Sequence, residues 1–155
     1  MLRTIEGFHQ DDEDDWVAEL SCLHGQHVRH RPPFRDQPWV LDPAGRAARV
    51  GAGLDCPLCD RAELPDGLVT VRTAGPFDAA TIPAGLRREH RVAERTWARV
   101  HVVGGSVRLT IDTDPPLDVR LAVGDEQPIP PAVPHALHVE GPVTLVVEFL
   151  VRKPS

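Results

Sequence analysis

The distribution of sulfur constrains this chain more than any other feature. All three cysteines, Cys22, Cys56 and Cys59, and four of the eight histidines, His9, His24, His27 and His30, precede Ala62. The remainder has no cysteine and is dominated by valine, leucine, proline and glycine. Between the two parts, Asp60 to Gly67 (DRAELPDG) has the composition of a linker. We therefore expect a Cys/His-rich module over residues 1–62 and a second domain over 67–155. A module of about sixty residues buries only about 60% of the surface that its unfolded chain exposes, so its own core leaves it marginal. An odd number of unevenly spaced cysteines does not make a disulfide framework, whereas a structural zinc ion contributes on the order of 10 kcal/mol of folding free energy. The expected staple is zinc.

Cys56-Pro57-Leu58-Cys59 has the spacing with which a tight turn presents two thiolates to one tetrahedral ion. A redox pair of the same spacing opens a helix after a buried strand, but this one follows a helical segment and runs into a linker. Two further ligands are available from Cys22-Leu23-His24-Gly25-Gln26-His27. Trp16 to Cys22 alternates in polarity and reads as a strand. Leu23 to Gln26 can turn the chain, and His27 to Arg31 can return as a second strand until Pro32 and Pro33 stop it. If Cys22 and His27 face each other across that hairpin, both point to one side, so His27 is preferred to His24 as the fourth ligand. Asp42-Pro43 then reads as the N-cap and first residue of a short helix over Gly45 to Val50, stopped by Gly51. The acidic run Asp11 to Asp15 reads as a solvated turn between two strands, with calcium binding as the alternative.

The segments GFHQDDEDDWVAELSCLHGQHVRHRPPF, QPWVLDPAGR and CPLC, spread over Gly7 to Cys59, resemble a bacterial family of unknown function, a small Cys/His-rich domain. The resemblance implies no activity. Members of that family usually carry glycine where Leu23 stands, and a side chain there restricts the turn.

The second domain reads as β throughout. Leu68 to Arg72, Ala98 to Val103, Ser106 to Ile111, Val119 to Leu121 and Val143 to Val151 are rich in β-branched residues and bounded by turn signals such as Gly104-Gly105, Asp114-Pro115-Pro116 and Gly141-Pro142. Many short strands imply a sandwich or barrel. Pro128, Pro130, Pro131 and Pro134 exclude a central strand or helix there and predict an ordered loop. Val143 to Val151, left at an edge, would template aggregation, so a homo-oligomer, with a dimer first, is expected to cover it.

Gly124 to His135 (GDEQPIPPAVPH) resembles the second cupin motif in spacing, with Ala132 in the usual glycine place and Val139 in place of the usual asparagine. The first motif is eroded: Trp97 and Val92 stand where a glutamate and a histidine would bind metal, and His90 alone keeps its place. Phe77 to Phe149, through FDAATIPAGLRREH, TWARVHVVGGSVRL and PPAVPHALHVEGPVTLVVEF, resembles the cupin-type domain of the tellurite-resistance-associated TehB/YeaR-like family. The resemblance implies a cupin-like barrel (double-stranded β-helix) and a link to tellurite or oxidative-stress responses, without methyl transfer. His90 and His135 are then expected to face one mouth, with Glu148, Glu89 or Glu94 as a carboxylate donor to a second divalent ion (Zn, Fe, Ni or Mn).

The fold class expected is thus mainly β, a zinc-stapled hairpin and helix module followed by a cupin-like barrel. The functional reading is a metal-binding, cytoplasmic protein whose pocket (His90, His135, Glu148) takes a small molecule, an oxyanion or a metal, beside a zinc site drawn from Cys22, His24, His27, Cys56 and Cys59. An alternative is a cupin metalloenzyme of oxygenase or isomerase type. A further alternative is a nucleic-acid or protein interaction module, supported by Arg29, Arg31 and Arg35 beside Phe34 and Trp39. A formal charge of −6 makes a nucleic-acid partner unlikely. No apolar run has the length of a membrane span, and Met1 to Gln10 lacks the pattern of a signal peptide, so no membrane partner is expected.

Overall fold

In the computed structural model, which describes residues 1–154, the alternating segment WVAEL forms a strand within an antiparallel sheet. The elements of this part are β1 (Leu2–Gln10), β2 (Trp16–Leu20), β3 (Gly25–His27), α1 (Pro43–Arg49) and β4 (Gly53–Asp55). The sheet has the order β3-β2-β1-β4. Ile5, Val17, Ala18, Leu20, Val28 and Val40 are buried and supply its small core. The acidic run is the β1–β2 turn, and the Asp11 carboxylate accepts from the Glu13 and Asp15 amides. Helix α1 starts as its sequence requires: Pro43 occupies the first turn, and the Asp42 carboxylate accepts from the Gly45 amide.

The hairpin turns earlier than its composition suggested. The Leu20 amide donates to the His24 carbonyl and the Leu23 amide to the Leu20 carbonyl, so the turn occupies Ser21 to His24. The return strand is therefore β3, Gly25–His27, with Val17 opposite His27 and Glu19 opposite Gly25. It is not the expected His27 to Arg31.

The chain divides into two compact units, Met1–Cys56 and Pro57–Ser155. The second contains the short helix α2 (Pro57–Asp60) and strands β5 (Leu68–Asp78), β6 (Trp97–Ile111), β7 (Leu117–Ala122), β8 (Glu126–Ile129), β9 (His135–His138) and β10 (Val143–Arg152). The sheet runs β5-β10-β6-β7, and β8 and β9 also pair with β6. The protein is mainly β.

One long strand organises this unit. Gly104-Gly105, which signals a turn in sequence, is instead an irregularity inside β6, where Thr144 pairs with Gly104 but Leu145 with Val102. Gly105 has φ +65°, and a Cβ there would lie 2.0 Å from the Pro142 carbonyl oxygen, so the backbone approach admits only glycine. Before this bend β6 pairs with β10 and β8, and after it with β7 and β9. The proline-rich stretch holds a strand after all: Pro128 lies opposite Arg99 in β8, which pairs with β6 and so tolerates a residue without an amide donor. Strand β10 lies between β5 and β6. Its apolar run is covered within one chain, so covering it requires no second copy. Trp97, Val100, Val102, Leu109, Ile111 and Leu145 are fully buried and form the centre of the core.

Candidate functional site

The sheet register of the first unit explains how distant cysteines meet. Both β2 and β4 run antiparallel to β1 and so end beside its start, with Leu20 opposite Ile5 and Asp55 opposite Leu2. Cys22 lies two residues beyond Leu20 and Cys56 one beyond Asp55, and the Cys56 amide is anchored on the Met1 carbonyl at 2.6 Å. Helix α2 continues from Cys56 and brings Cys59 back within one turn.

The ligand atoms of Cys22, His24, Cys56 and Cys59 all lie within 4.8 Å of one another, and all four residues are buried. The sulfurs of Cys22 and Cys56 are 3.8 Å apart, and His24 Nδ1 is 3.4 Å from each. Tetrahedral zinc, with bonds of about 2.3 Å to sulfur and 2.05 Å to nitrogen, sets ligand atoms about 3.8 Å (S to S) and 3.6 Å (S to N) apart. The spacing fits. Burial opposes protonation of His24, but hydrogen bonds and charge from Cys22 and Cys56 outweigh it and raise its pKa to about 9. These sulfurs favour a positive charge beside them, which a divalent cation could supply.

The structure groups His24, and not His27, with the three thiols. With Val17 opposite His27, the His27 side chain leaves the cluster and pairs with Asp11, Nε2 to carboxylate oxygen at 2.7 Å. His24 is brought in by Leu23, which adopts φ +74° and turns the chain within the hairpin tip.

The second unit contains a cavity of about 260 Å³ that opens to solvent. Strand alternation selects its walls: Ala98 and Val100 from β6, Leu137 from β9, and Val147 and Phe149 from β10. His90 and His135 both line it. Their backbones exchange two hydrogen bonds of 2.9 Å, and their rings meet edge to face with centroids 5.4 Å apart. His135 is 6% exposed. Its Nδ1 lies 3.1 Å from the Val133 carbonyl oxygen, which only accepts, so Nδ1 carries the proton and Nε2 is left as an acceptor. Burial, with a smaller contribution from His90, pushes the His135 pKa below the ordinary imidazole value and keeps the ring neutral.

Glu148 is not a pocket residue. Val147 and Phe149 face the cavity, so alternation sends Glu148 to the other face of β10. There it accepts from Thr70 and Arg99 and pairs with His101, which also faces Glu126. The Thr70 hydroxyl, and after it Arg99, hold its carboxyl below the usual range. Glu89 and Glu94 do not line the cavity either. The carboxylate needed to complete a two-histidine metal site is therefore missing from the described lining. Sequence reasoning overlooked Arg72, which stands at the rim with its guanidinium 4.2 Å over the Phe149 ring. A lone arginine in an alternating strand carries no signal of its own. The interaction surface weighed for nucleic acid is only partly presented. Phe34 is 93% exposed, whereas Arg29 pairs with Asp15, and Trp39 packs edge-on against Phe8 and under Arg49.

Among the described residues no helix is long and apolar enough to cross a membrane. Residues 6–63 match the model of a family described as a protein of unknown function (DUF3565). Residues 72–147 match the model of the TehB-like domain. No curated protein matches the chain. Among solved structures, a protein from Escherichia coli K12 is similar at TM-score 0.54 and 17% identity, over 59% of this chain and 98% of that one. TehB from Haemophilus influenzae is similar at TM-score 0.50 and 12% identity, over 56% of this chain and only 32% of its own length. At such identities the likeness is one of fold.

Proposed function

For a chain that joins a DUF3565 domain to a TehB-like domain, we propose the role of a zinc-stapled binding protein, in which the first domain holds a structural ion and the second a small ligand. The observation that carries this reading is the buried set of Cys22, His24, Cys56 and Cys59, whose ligand atoms all lie within 4.8 Å of one another. Four protein donors close the coordination sphere and leave no position for substrate, which is the pattern of a structural rather than a catalytic site. Three thiolates and one imidazole favour zinc over the hard, oxygen-seeking cations. Thiolates engaged in this way are not free nucleophiles, which argues against redox turnover by the CPLC pair.

For the second domain we take a cupin-like barrel as the architecture, since strand β6 bends at Gly104-Gly105 and serves partners on both sides of a cavity. Two histidines without a lining carboxylate favour binding over oxygenase or isomerase chemistry. Elemental analysis of the purified chain tests the reading. One zinc per chain is expected, falling to background in Cys56→Ser/Cys59→Ser and unchanged in His27→Ala and His135→Ala. A chain purified without stoichiometric metal, whose first domain is also indifferent to chelators, would overturn it.

A further inference from the structure

We propose that the cavity of the TehB-like domain takes a small hydroxylated organic acid, with its carboxylate at Arg72, its apolar body along the walls and its hydroxyl on His135. This rests on the reading of that cavity as a binding site and names its ligand class. Three observations define the class.

The first is charge. Arg72 is the single cationic side chain of the lining, no carboxylate lines the cavity, and Arg72 has no acidic partner among the described residues. Its guanidinium is held over the Phe149 ring, which restrains the cation while leaving N–H donors for an anion. One unpaired cation at an exposed rim suits one negative charge, and paired N–H donors suit the two oxygens of a carboxylate.

The second is the wall. Apart from Arg72, His90 and His135 the lining is apolar, with Leu86, Val100, Leu137 and Phe149 among its residues. An inorganic oxyanion would leave this surface without a partner. The volume of about 260 Å³ exceeds the roughly 150 Å³ in which one benzene is held, so a body of about ten non-hydrogen atoms fits.

The third is polarity at depth. His135 Nδ1 is committed to the Val133 carbonyl, and Nε2 has no protein partner among the described residues. That Nε2 accepts and does not donate, so the ligand group that reaches it must be a donor, which a second carboxylate is not. A hydroxyl meets the requirement, and an acid with an aromatic ring between its two polar ends places the carboxylate at the mouth and the hydroxyl within.

Isothermal titration of the full zinc-loaded chain with four probes tests the proposal: 4-hydroxyphenylacetate, phenylacetate, 4-hydroxyphenylacetamide and tellurite. The hydroxy acid is expected to bind most tightly. Loss of the hydroxyl or of the charge should each weaken binding by about tenfold, and tellurite should neither bind nor compete. In Arg72→Gln, a substitution at an exposed position, the preference for acid over amide should vanish while the amide binds as before. In His135→Phe the preference for the hydroxylated acid should vanish, and a circular dichroism spectrum matching the parent verifies its fold. Equal affinity for acid and amide, or Arg72-dependent binding of tellurite in place of the organic acids, would overturn the ligand class and leave the cavity as a binding site. If none of the four probes, nor uncharged indole, binds at millimolar concentration, the ligand class and the binding reading of the cavity both fall, while the zinc site is untouched.

Discussion

Ala132 stands in the left-handed region at φ +59°, a backbone conformation that favours glycine. For an L-residue this conformation costs about 1 to 2 kcal/mol. Glycine would relieve that cost but would lose about 0.5 to 1 kcal/mol through the greater freedom of the unfolded chain, together with a half-buried methyl group. The net gain from Ala132→Gly is therefore about 0.5 kcal/mol. Ala136 supplies the control: it is equally half-buried, but it sits in β9 opposite Thr110 with ordinary extended geometry. Ala136→Gly bears the same entropy and methyl losses with nothing relieved. Subtracting the two isolates the backbone cost itself, about 1.5 kcal/mol in favour of Ala132→Gly. Native-state hydrogen exchange at the Val100 and Leu109 amides, which lie on either side of the β6 bend, reads the opening free energy of this unit separately from the first. The amide of residue 132 should keep its bond to the Val92 carbonyl, 2.8 Å in the parent. If both substitutions destabilise to the same extent, the strain assigned to Ala132 does not exist.

Leu23→Gly, the corresponding change in the β2–β3 hairpin, should raise the stability of the first unit by up to about 1 kcal/mol with any bound metal retained, as read by chelator titration. Chelation of the metal should unfold the first unit, since on the order of 10 kcal/mol exceeds what so small a core supplies; persistent exchange protection at Ala18 after chelation would contradict this. The folded-state pKa of His135 is lowered, so the unfolded chain takes up the proton first as pH falls. Its contribution is complete above the ordinary value of 6.5 and declines below it, approaching about 1.4 kcal/mol per pH unit. A His135→Gln variant should lose that slope in urea denaturation between neutral and mildly acid pH. Glu148→Gln should leave ligand affinity within about twofold, because its carboxylate lies on the other face of β10; a larger loss in calorimetry would place it in the pocket.

The residues of the Cys/His cluster were legible to the extent that spacing determines them. The CPLC turn carries its own geometry in four residues, and Cys22 is the one remaining thiol. The choice between His24 and His27 was not legible, because it depends on hairpin register, and register depends on whether Leu23 enters the left-handed region. That is a conformation for which leucine gives no sign. The same limitation applies to Gly104-Gly105. Two glycines between β-branched runs suit a hairpin turn or a bulge equally well, and only the approach of the Pro142 carbonyl, brought by a segment about forty residues away in sequence, decides for the bulge. Glu148 was misplaced because alternation indicates which residues share a face but not which face is inward when both carry apolar neighbours. Arg72 escaped notice for the same reason, since its partner Phe149 arrives from another strand.

The dependence of four strands on β6 also orders the assembly of the second unit in time. During synthesis β5 leaves the ribosome well before β10, its neighbour in the sheet, so β5 must wait with its backbone groups unpaired until that partner has been made. The β6–β7 hairpin is the closest pairing along the chain and is the step that can begin early, whereas β5 closes across more than sixty residues and comes late. A waiting strand is a target for other copies of itself. The exposed Thr70, Arg72 and Thr73 of β5, which flank the exposed Val71, therefore serve a second purpose, making a nascent edge more polar until its proper neighbour arrives.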